Sequence, residues 1–311
     1  MLSGIICAMS HPRISRSVII FHLLLLTAIS AGCTKQPSET APPTVTIDVP
    51  TSAPVEPTLT TEPMAITVNG EGISQVEYDG EIQRFQDGST KAGMTLPDEV
   101  EQKQRILDEL TGQLLLKQGA VEAGYTVSPD EIKARLDKLI LDLGGPEKLT
   151  AWEQENFYTD QVFKTAFIRS IHAAWMRDRI ISEVPDAAEQ VHVLQIRVLS
   201  EGEAQGIIAQ LGTGSDFATL AQQYDPVTKG DLGWFPRGYL TQAAVDEAAF
   251  YLEPGGISPV IKSDVGYHII QLIEKDSSHK LTPDAFKFVQ TQALIKWLED
   301  KRSNSEIIIP Q

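Results

Sequence analysis

Residues 230–238 read GDLGWFPRG, with glycine at three of nine positions and a Trp-Phe pair at the centre. This composition indicates a turn, because glycine adopts backbone conformations that other residues avoid. We expect Asp231 and Gly233 to shape the turn, and Trp234 and Phe235 to pack beneath it. The segments on either side of the turn therefore decide the fold class.

Strand patterns and helix patterns alternate around this turn. Upstream, the sequence predicts a strand from Val191; downstream, it predicts strands at 258–261 and 268–273. Between these strands lie predicted helices at 201–211, 216–224 and near 242–250. Strands and helices in this order are typical of an α+β domain, which we place at residues 186–277.

Residues 65–185 have a different character, because helical periodicity dominates. A short strand is expected at 65–68, before the turn residues Asn69 and Gly70. Capping boxes at 74–77 and 128–131 mark two helix starts, in which a serine accepts from the backbone and a glutamate reaches back. Helices are expected at 75–87, 99–123, 129–143 and 147–183, the last with a break near Asn156.

The N-terminus is typical of a secretory signal. Arg13 and Arg16 precede an apolar run of about a dozen residues, shorter than the ~20 that span a bilayer as a helix. The run ends in Ser30-Ala31-Gly32-Cys33, which resembles the cleavage motif of bacterial lipoproteins. That resemblance implies a signal peptide at 1–32 and a lipidated Cys33; plain secretion with an incidental Cys33 is the alternative.

Residues 33–64 are rich in Pro, Thr and Ser and poor in large apolar residues. Such a segment cannot bury a core, and proline stiffens it. We interpret it as a disordered tether between a lipid anchor and the folded part.

The segment at 230–238 resembles the central signature of parvulin-type (PpiC) peptidyl-prolyl isomerases. Further motifs follow in the family's order at 248–255, 257–260 and 266–270. The resemblance covers residues 188–275 and implies a four-stranded antiparallel sheet flanked by helices. It also implies the isomerase activity.

The flanking sequence resembles foldases of the PrsA and SurA type. In those proteins a mostly helical chaperone module is interrupted by the parvulin domain, and a C-terminal helix returns to the module. By this resemblance, residues 65–185 form the module, and residues 278–311 supply the returning helix, expected from Pro283 to about Arg302. An apolar tail, 307–309, follows that helix.

Prolyl isomerisation breaks no bond to a substrate atom, so it requires no triad, metal or cofactor. The barrier is about 18–20 kcal/mol. An apolar pocket for the proline ring and preorganised hydrogen bonds that favour the twisted amide would lower it.

The resemblance assigns the polar lining residue by residue. His268 matches the second histidine of the family's pair, and Ser263 matches a family hydroxyl. Gln195 occupies the position of the first histidine, and since an amide both donates and accepts, it could pair with His268. His192, three residues earlier in the same strand, faces the other side of the sheet. Asp225 is the candidate for the family's Cys or Asp.

Each of these residues also has a structural interpretation. His268 could be a hydrogen-bonded core histidine, Gln195 could be inert, and Asp225 before Pro226 is typical of a turn. The proline pocket, by family position, would use Leu240, Val245 and Phe250, all of which would otherwise be assigned to a core.

The net charge of the chain argues against one class of function, nucleic-acid binding. The chain carries 26 Lys and Arg against 42 Asp and Glu, a net charge of −16. Phosphate backbones would repel it, which argues against nucleic-acid binding. We expect the partners to be unfolded or newly exported polypeptides with X-Pro bonds, at the outer face of the cytoplasmic membrane.

Three other functions are alternatives. The first is a non-catalytic binding chaperone with a degenerate parvulin domain, suggested by Gln195, by the short loop at 224–230 and by Val245 in place of a common phenylalanine. The second is a lipid-anchored solute-binding protein. The leader is compatible with it, but nothing in the folded part resembles a two-lobed ligand-binding protein. A Ser or Cys hydrolase lacks a nucleophile motif.

Overall fold

The structure is a computed structural model that describes residues 62–310. The predicted signal peptide, Cys33 and the tether up to Thr61 lie outside the described residues.

Two strands and five helices form the first part of the described chain. β1 (Met64–Val68) and β2 (Glu71–Ser74) pair as an antiparallel hairpin whose turn, Asn69-Gly70, has positive φ at both residues, as these two residue types tolerate. The predicted break near Asn156 is confirmed, because one helix ends before it and another begins after it. The helices are α1 (Gln75–Lys91), α2 (Glu99–Glu122), α3 (Pro129–Leu143), α4 (Pro146–Glu155) and α5 (Asp160–Ser182).

The two predicted capping boxes are half formed. Ser74 Oγ accepts from Glu77 N at 3.3 Å, and Ser128 Oγ accepts from Glu131 N at 3.1 Å. The glutamates do not reach back as expected. The Glu77 carboxylate is buried and pairs with the buried guanidinium of Arg169 in α5, because a buried carboxylate is better neutralised by a cation than by one backbone N–H.

The α+β domain begins with the long strand β3 (Ala187–Val198), which pairs with both β4 and β6. Its sheet has four antiparallel strands in the order β4-β3-β6-β5, so the predicted fold class is confirmed. After β3 the elements are α6 (Glu201–Gly212), α7 (Phe217–Tyr224), β4 (Asp231–Pro236), α8 (Ala243–Tyr251), β5 (Ile261–Ser263) and β6 (Gly266–Lys280).

Two strand predictions were wrong in detail. The segment expected to be a turn at Asp231–Phe235 is the edge strand β4, because its backbone pairs with β3 and the register shift near Leu194 accommodates Gly233 at φ +67°. The strand expected at 258–261 begins only at Ile261. Pro259, which lacks an N–H, interrupts the pairing there, and Ile257 forms only an isolated bridge to Gln271.

The sheet separates two apolar clusters. Alternate side chains of β3 enter opposite clusters, with Val191 and Val193 on the α8 side and Ile196 and Val198 on the side of α6 and α7. The α8 cluster also contains Phe235, Val245, Phe250, Ile270 and Leu272. Gln195 follows Val193 by two residues, so the strand alternation places it on the α8 face.

The α+β domain is inserted into the helical part. Its first and last residues are paired, since Ala187 lies opposite Lys280, and Leu281 N donates to Asp186 O at 2.8 Å. The chain thus leaves and re-enters the helical part at one place.

The returning helix α9 (Pro283–Ser303) completes the helical module, which we define as β1 to α5 together with α9 and β7 (Ile307–Ile308). Trp297 packs so closely on α2 that a Cβ at Gly119 would lie 2.6 Å from its ring. The apolar tail, which had no predicted structure, adds a third strand to the N-terminal hairpin by pairing with β1.

Among residues 62–310, no helix is long and apolar enough to cross a bilayer.

We predict that Trp297→Ala lowers the free energy of unfolding by about 3 kcal/mol, because it removes the aromatic contact between α9 and α2. Urea unfolding measures the change. The control is Lys296→Ala in the same helix, whose exposed ion pair with Asp300 contributes little. Equal stability of both variants would show that α9 does not hold the module together.

Candidate active site

Gln195 and His268 meet on the α8 face of the sheet. Gln195 lies in β3 and His268 in β6, one pleat apart along the ladder. His268 Nδ1 lies 2.9 Å from Gln195 Oε1, within hydrogen-bond distance. Gln195, which the resemblance places at the first histidine position of the family, thus contacts His268, which it places at the second position.

Ser263 completes a chain of three polar side chains. Its hydroxyl lies 2.7 Å from His268 Nε2 and accepts from Val265 N at 3.1 Å, so the β5–β6 turn holds it in place. The imidazole thus has a partner at each nitrogen.

The buried position of His268 decides its protonation. Its side chain is only 1% exposed, and burial lowers its pKa below the usual value for histidine. The nearby Arg197 guanidinium lowers the pKa further, against a smaller opposing effect of Asp264. The imidazole is therefore neutral at pH 7. Because Gln195 Oε1 can only accept, His268 Nδ1 carries the proton and Nε2 accepts from the Ser263 hydroxyl.

The Gln195 amide is oriented by this chain. Its oxygen accepts a hydrogen bond from His268, whereas its nitrogen makes no hydrogen bond with any of the described residues. Two N–H donors are consequently left for whatever enters the adjoining space.

Gly230 fixes the Gln195 backbone. Gln195 N donates to Gly230 O at 2.7 Å, and a Cβ at Gly230 would lie 2.3 Å from Gln195 O. Gly230 also has φ +74°, so both the close approach and the backbone conformation require glycine here.

A cavity of about 340 Å³ opens beside the Gln195 amide. Polar donors and apolar side chains share its walls, so it can hold both an amide group and an apolar ring. It is lined by Gln195, Arg197, Tyr224, Asp225, Thr228, Gly230 and Leu232.

His268 does not line this cavity, although the family resemblance places it in the polar lining of the site. Gln195 both lines the cavity and contacts the imidazole, so it connects the two.

Asp225 lines the cavity, but its carboxylate is used inside its own loop. It accepts from Val227 N at 3.0 Å, from Thr228 N at 3.1 Å and from the Thr228 hydroxyl. These bonds lower its pKa. No hydrogen bond joins Asp225 to Gln195 or His268 in the described residues, so the geometry matches the turn interpretation and gives it no direct part in the polar chain.

The predicted proline pocket is only partly open. Val245 and Phe250 are 1% and 3% exposed and belong to the α8 core, since α8 packs its apolar face flat on the sheet. Leu240 is half-buried against the same cluster.

Five residues that line the cavity were not among the predicted site residues: Arg197, Tyr224, Thr228, Gly230 and Leu232. Leu232 in β4 packs on the cluster of Val245 and reaches the cavity, which makes it an apolar wall next to Gln195. Arg197 follows Gln195 by two positions and shares its face. The period of two along β3 was the signal that could have identified Arg197.

His192 belongs to a different surface, as expected. Its Nε2 lies 2.8 Å from Asp231 Oδ1, and its ring lies beside Trp234, which in turn stacks on His279. Between residues 62 and 310, no group of three or more His, Cys, Asp or Glu residues is placed to hold a metal ion.

Two family models match the chain in the order seen in the fold. Residues 57–169 match the SurA-like N-terminal domain, and residues 196–274 match the PPIC-type PPIase domain of the rotamases. The foldase protein PrsA of Caldanaerobacter subterraneus is 30% identical over 229 residues, which cover 66% of this chain and 71% of that protein. The chain belongs to the PrsA foldase family.

The chain is also similar to a chaperone and to a solved isomerase structure. The chaperone SurA of Nitrosococcus oceani is 24% identical over 248 residues, covering 67% of this chain and 57% of SurA. A crystal structure of the peptidylprolyl isomerase PrsA from Bacillus anthracis is 25% identical and covers 64% of this chain and 96% of that one, with a TM-score of 0.37. As a PrsA-type protein, the chain is a foldase with an isomerase domain of the parvulin class.

The buried imidazole makes the stability of this PrsA-type protein depend on pH. Since the pKa of His268 is lower in the folded state than the ~6.5 of an unfolded chain, the unfolded state binds the proton more tightly. We predict that acidification from pH 7 to 5 lowers the free energy of unfolding through this group, and that stability is regained above about pH 6.5. Urea unfolding at several pH values measures it.

The comparison variant is His268→Gln, which removes the titrating ring. Its stability should fall less steeply over the same pH range than that of the unmodified protein. Equal slopes would mean that His268 is protonated as easily in the folded state as in the unfolded state.

Proposed function

We propose that this foldase accelerates cis–trans isomerisation of X-Pro bonds in exported, unfolded polypeptides, with Gln195 as the catalytic residue. The observation that carries the proposal is the hydrogen-bond chain Ser263–His268–Gln195, which ends at a residue that lines the cavity and whose amide N–H donors make no hydrogen bond within the described residues. The chain fixes the donors before the substrate binds.

Donors at this place suit the chemistry of the reaction. Twisting the prolyl amide removes its resonance, so the prolyl nitrogen gains a lone pair and becomes basic. A fixed N–H donor interacts with that nitrogen more strongly in the twisted state than in the planar ground state, which lowers the barrier. Leu232 and Leu240 supply the apolar surface for the proline ring.

The neutral imidazole has a positioning role. Because His268 donates from Nδ1, the Gln195 amide cannot rotate by 180° without placing its NH₂ group against that donor. The histidine thus keeps the amide nitrogen turned away from the buried side. Ser263 maintains this tautomer by donating to Nε2.

We predict that Gln195→Leu lowers kcat/KM for a peptide with a single X-Pro bond by about a hundredfold, the lower end of the range for loss of one preorganised donor. The measurement is isomerisation of the peptide and refolding of a proline-limited protein. Gln210→Leu, on the exposed surface of α6 in the same domain, is the control and should keep full activity.

Three outcomes separate the functions. Loss of activity in Gln195→Leu alone supports the proposal, and Gln195→His should then retain activity, because it places an imidazole donor at the same point. An unmodified chain that suppresses aggregation but never accelerates isomerisation would make this protein a binding chaperone. Full activity of Gln195→Leu would remove Gln195 from the mechanism.

We further propose that Cys33 carries a lipid that holds the foldase at the outer face of the cytoplasmic membrane. The sequence Ser30-Ala31-Gly32-Cys33 after an apolar run, and the Pro-rich segment that follows, support the proposal. The net charge of −16 gives the chain no electrostatic attraction to anionic lipids, so attachment would depend on the acyl chains.

Cys33→Ala is expected to move the protein from the membrane fraction to the soluble exported fraction, because it removes the only cysteine next to the leader's end. Cell fractionation measures the distribution, and Ser38→Ala in the tether is the control. If the Cys33→Ala protein stays with the membrane, some other feature anchors it.

A further inference from the structure

Two connecting segments join the α+β domain to the helical module along one line. The two connecting segments run side by side, with Ala187 opposite Lys280 and a hydrogen bond from Leu281 N to Asp186 O. A paired connection of this kind can bend as a hinge, because both strands can change direction together. Contacts away from this line therefore determine how the domain sits on the module.

One such contact joins the loop after β4 to α9. The ring of Tyr239 meets the ring of Phe288 edge to face, with centroids 5.3 Å apart and planes at 88°. A Cβ at the neighbouring Gly238 would lie 3.7 Å from Phe288 Cζ, so the loop backbone also approaches this ring.

Phe288 is fixed to the helical module by its own helix. Two residues further along α9, Gln290 Nε2 donates to Ile181 O of α5 at 3.3 Å. Beyond that, Trp297 packs on Gly119 of α2. A movement of the helical module is therefore transmitted to Phe288.

On its other side the same loop is held by Asp246 of α8. This carboxylate is only 4% exposed, and it accepts from Gly238 N at 2.7 Å and from Leu240 N at 3.0 Å. The residues from Gly238 to Leu240 are thus fixed between a buried carboxylate and an aromatic ring of the other module.

Leu240, the next residue after Tyr239, does not line the cavity, but the family resemblance places it in the proline pocket of the proposed isomerase. It packs on the cluster that contains Val245, as does Leu232, which lines the cavity. A shift of the loop would move Leu240 relative to Leu232, and the apolar surface offered to a proline ring would change. The donors on Gln195 lie in β3 and would stay in place.

We propose that Phe288 is a positioning residue for the isomerase: through Tyr239 it sets the place of Leu240, so the helical module controls how tightly the inserted domain binds proline. The proposal rests on the isomerase function proposed above. The loop that carries Leu240 contributes to proline binding but does not carry the hydrogen-bond donors of Gln195. Loss of the contact between Tyr239 and Phe288 should therefore change KM and leave kcat nearly unchanged.

The test is a double-mutant cycle in the full chain without its leader. The variants are Tyr239→Ala, Phe288→Ala and both together, and the substrate is a four-residue peptide with one Ala-Pro bond. The cycle separates transmission through the loop from direct contact, because an effect of Phe288→Ala on KM that disappears in the Tyr239→Ala background must pass through Tyr239. Each single variant is expected to raise KM by about twofold to tenfold, the range for loss of one aromatic pair.

The double variant should be no worse than either single variant, because each removes the same contact. Tyr239→Phe, which keeps the ring, should retain the original KM. Phe286→Ala is the matched control in α9, since this aromatic makes no recorded ring contact with the α+β domain in the described residues.

Hydrogen exchange gives a readout that does not require activity. The amides of Gly238 and Leu240, protected by Asp246, should exchange faster in Phe288→Ala and not in Phe286→Ala. An inactive unmodified chain would overturn the proposed function, while unchanged exchange would overturn the coupling. With an active chain, an unchanged KM in both single variants, or effects that multiply in the double variant, would also overturn the coupling.

Discussion

The antiparallel pairing of β3 with β6 is the interaction on which the other features depend. Its ladder runs from Ala187 opposite Lys280 to Val198 opposite Tyr267. One end of the ladder closes the insertion of the α+β domain, and the other end brings Gln195 next to His268. A slip of one residue would turn either side chain to the other face of the sheet, so the register creates the site. The attachment of the domain and the geometry of its polar chain therefore have a common origin.

Burial of the imidazole changes what the polar chain can do. An exposed histidine would exchange its proton with water and rotate freely. Here burial and Arg197 favour the neutral ring, and Ser263 and Gln195 fix the tautomer. The amide that reaches the cavity is an acceptor on its inner side and a donor on its outer side. At the position where the resemblance places the family's first histidine, a glutamine thus offers hydrogen-bond donors without adding a second titrating group.

Two loops next to the site are held in place by different contacts. The loop from Asp225 to Gly230 is fixed from within by its own carboxylate, and it contributes a wall of the cavity. The loop from Arg237 to Leu240 is fixed from outside, by Asp246 in the same domain and by Phe288 in the other module. The first loop is rigid, whereas the position of the second depends on α9. The helical module would therefore influence proline binding without moving the hydrogen-bond donors of Gln195.

The sequence by itself determined the α+β class, the capped helices and the residue type at each site position, because these depend on local periodicity, on caps and on a motif whose spacing is fixed. It also predicted that Gln195 can pair with His268, since a glutamine has the required acceptor. Only the tertiary structure decided that Asp231–Pro236 is a strand, that Asp225 bonds within its loop and that Val245 and Phe250 lie in the core. It also decided that Arg197 and Leu232 line the cavity. The bonds of Asp225 are local, and the Asp-Pro turn already allowed them. The other outcomes depend on which segments pack or pair with each other, because the period of two gives the face on which a residue lies but not what covers that face.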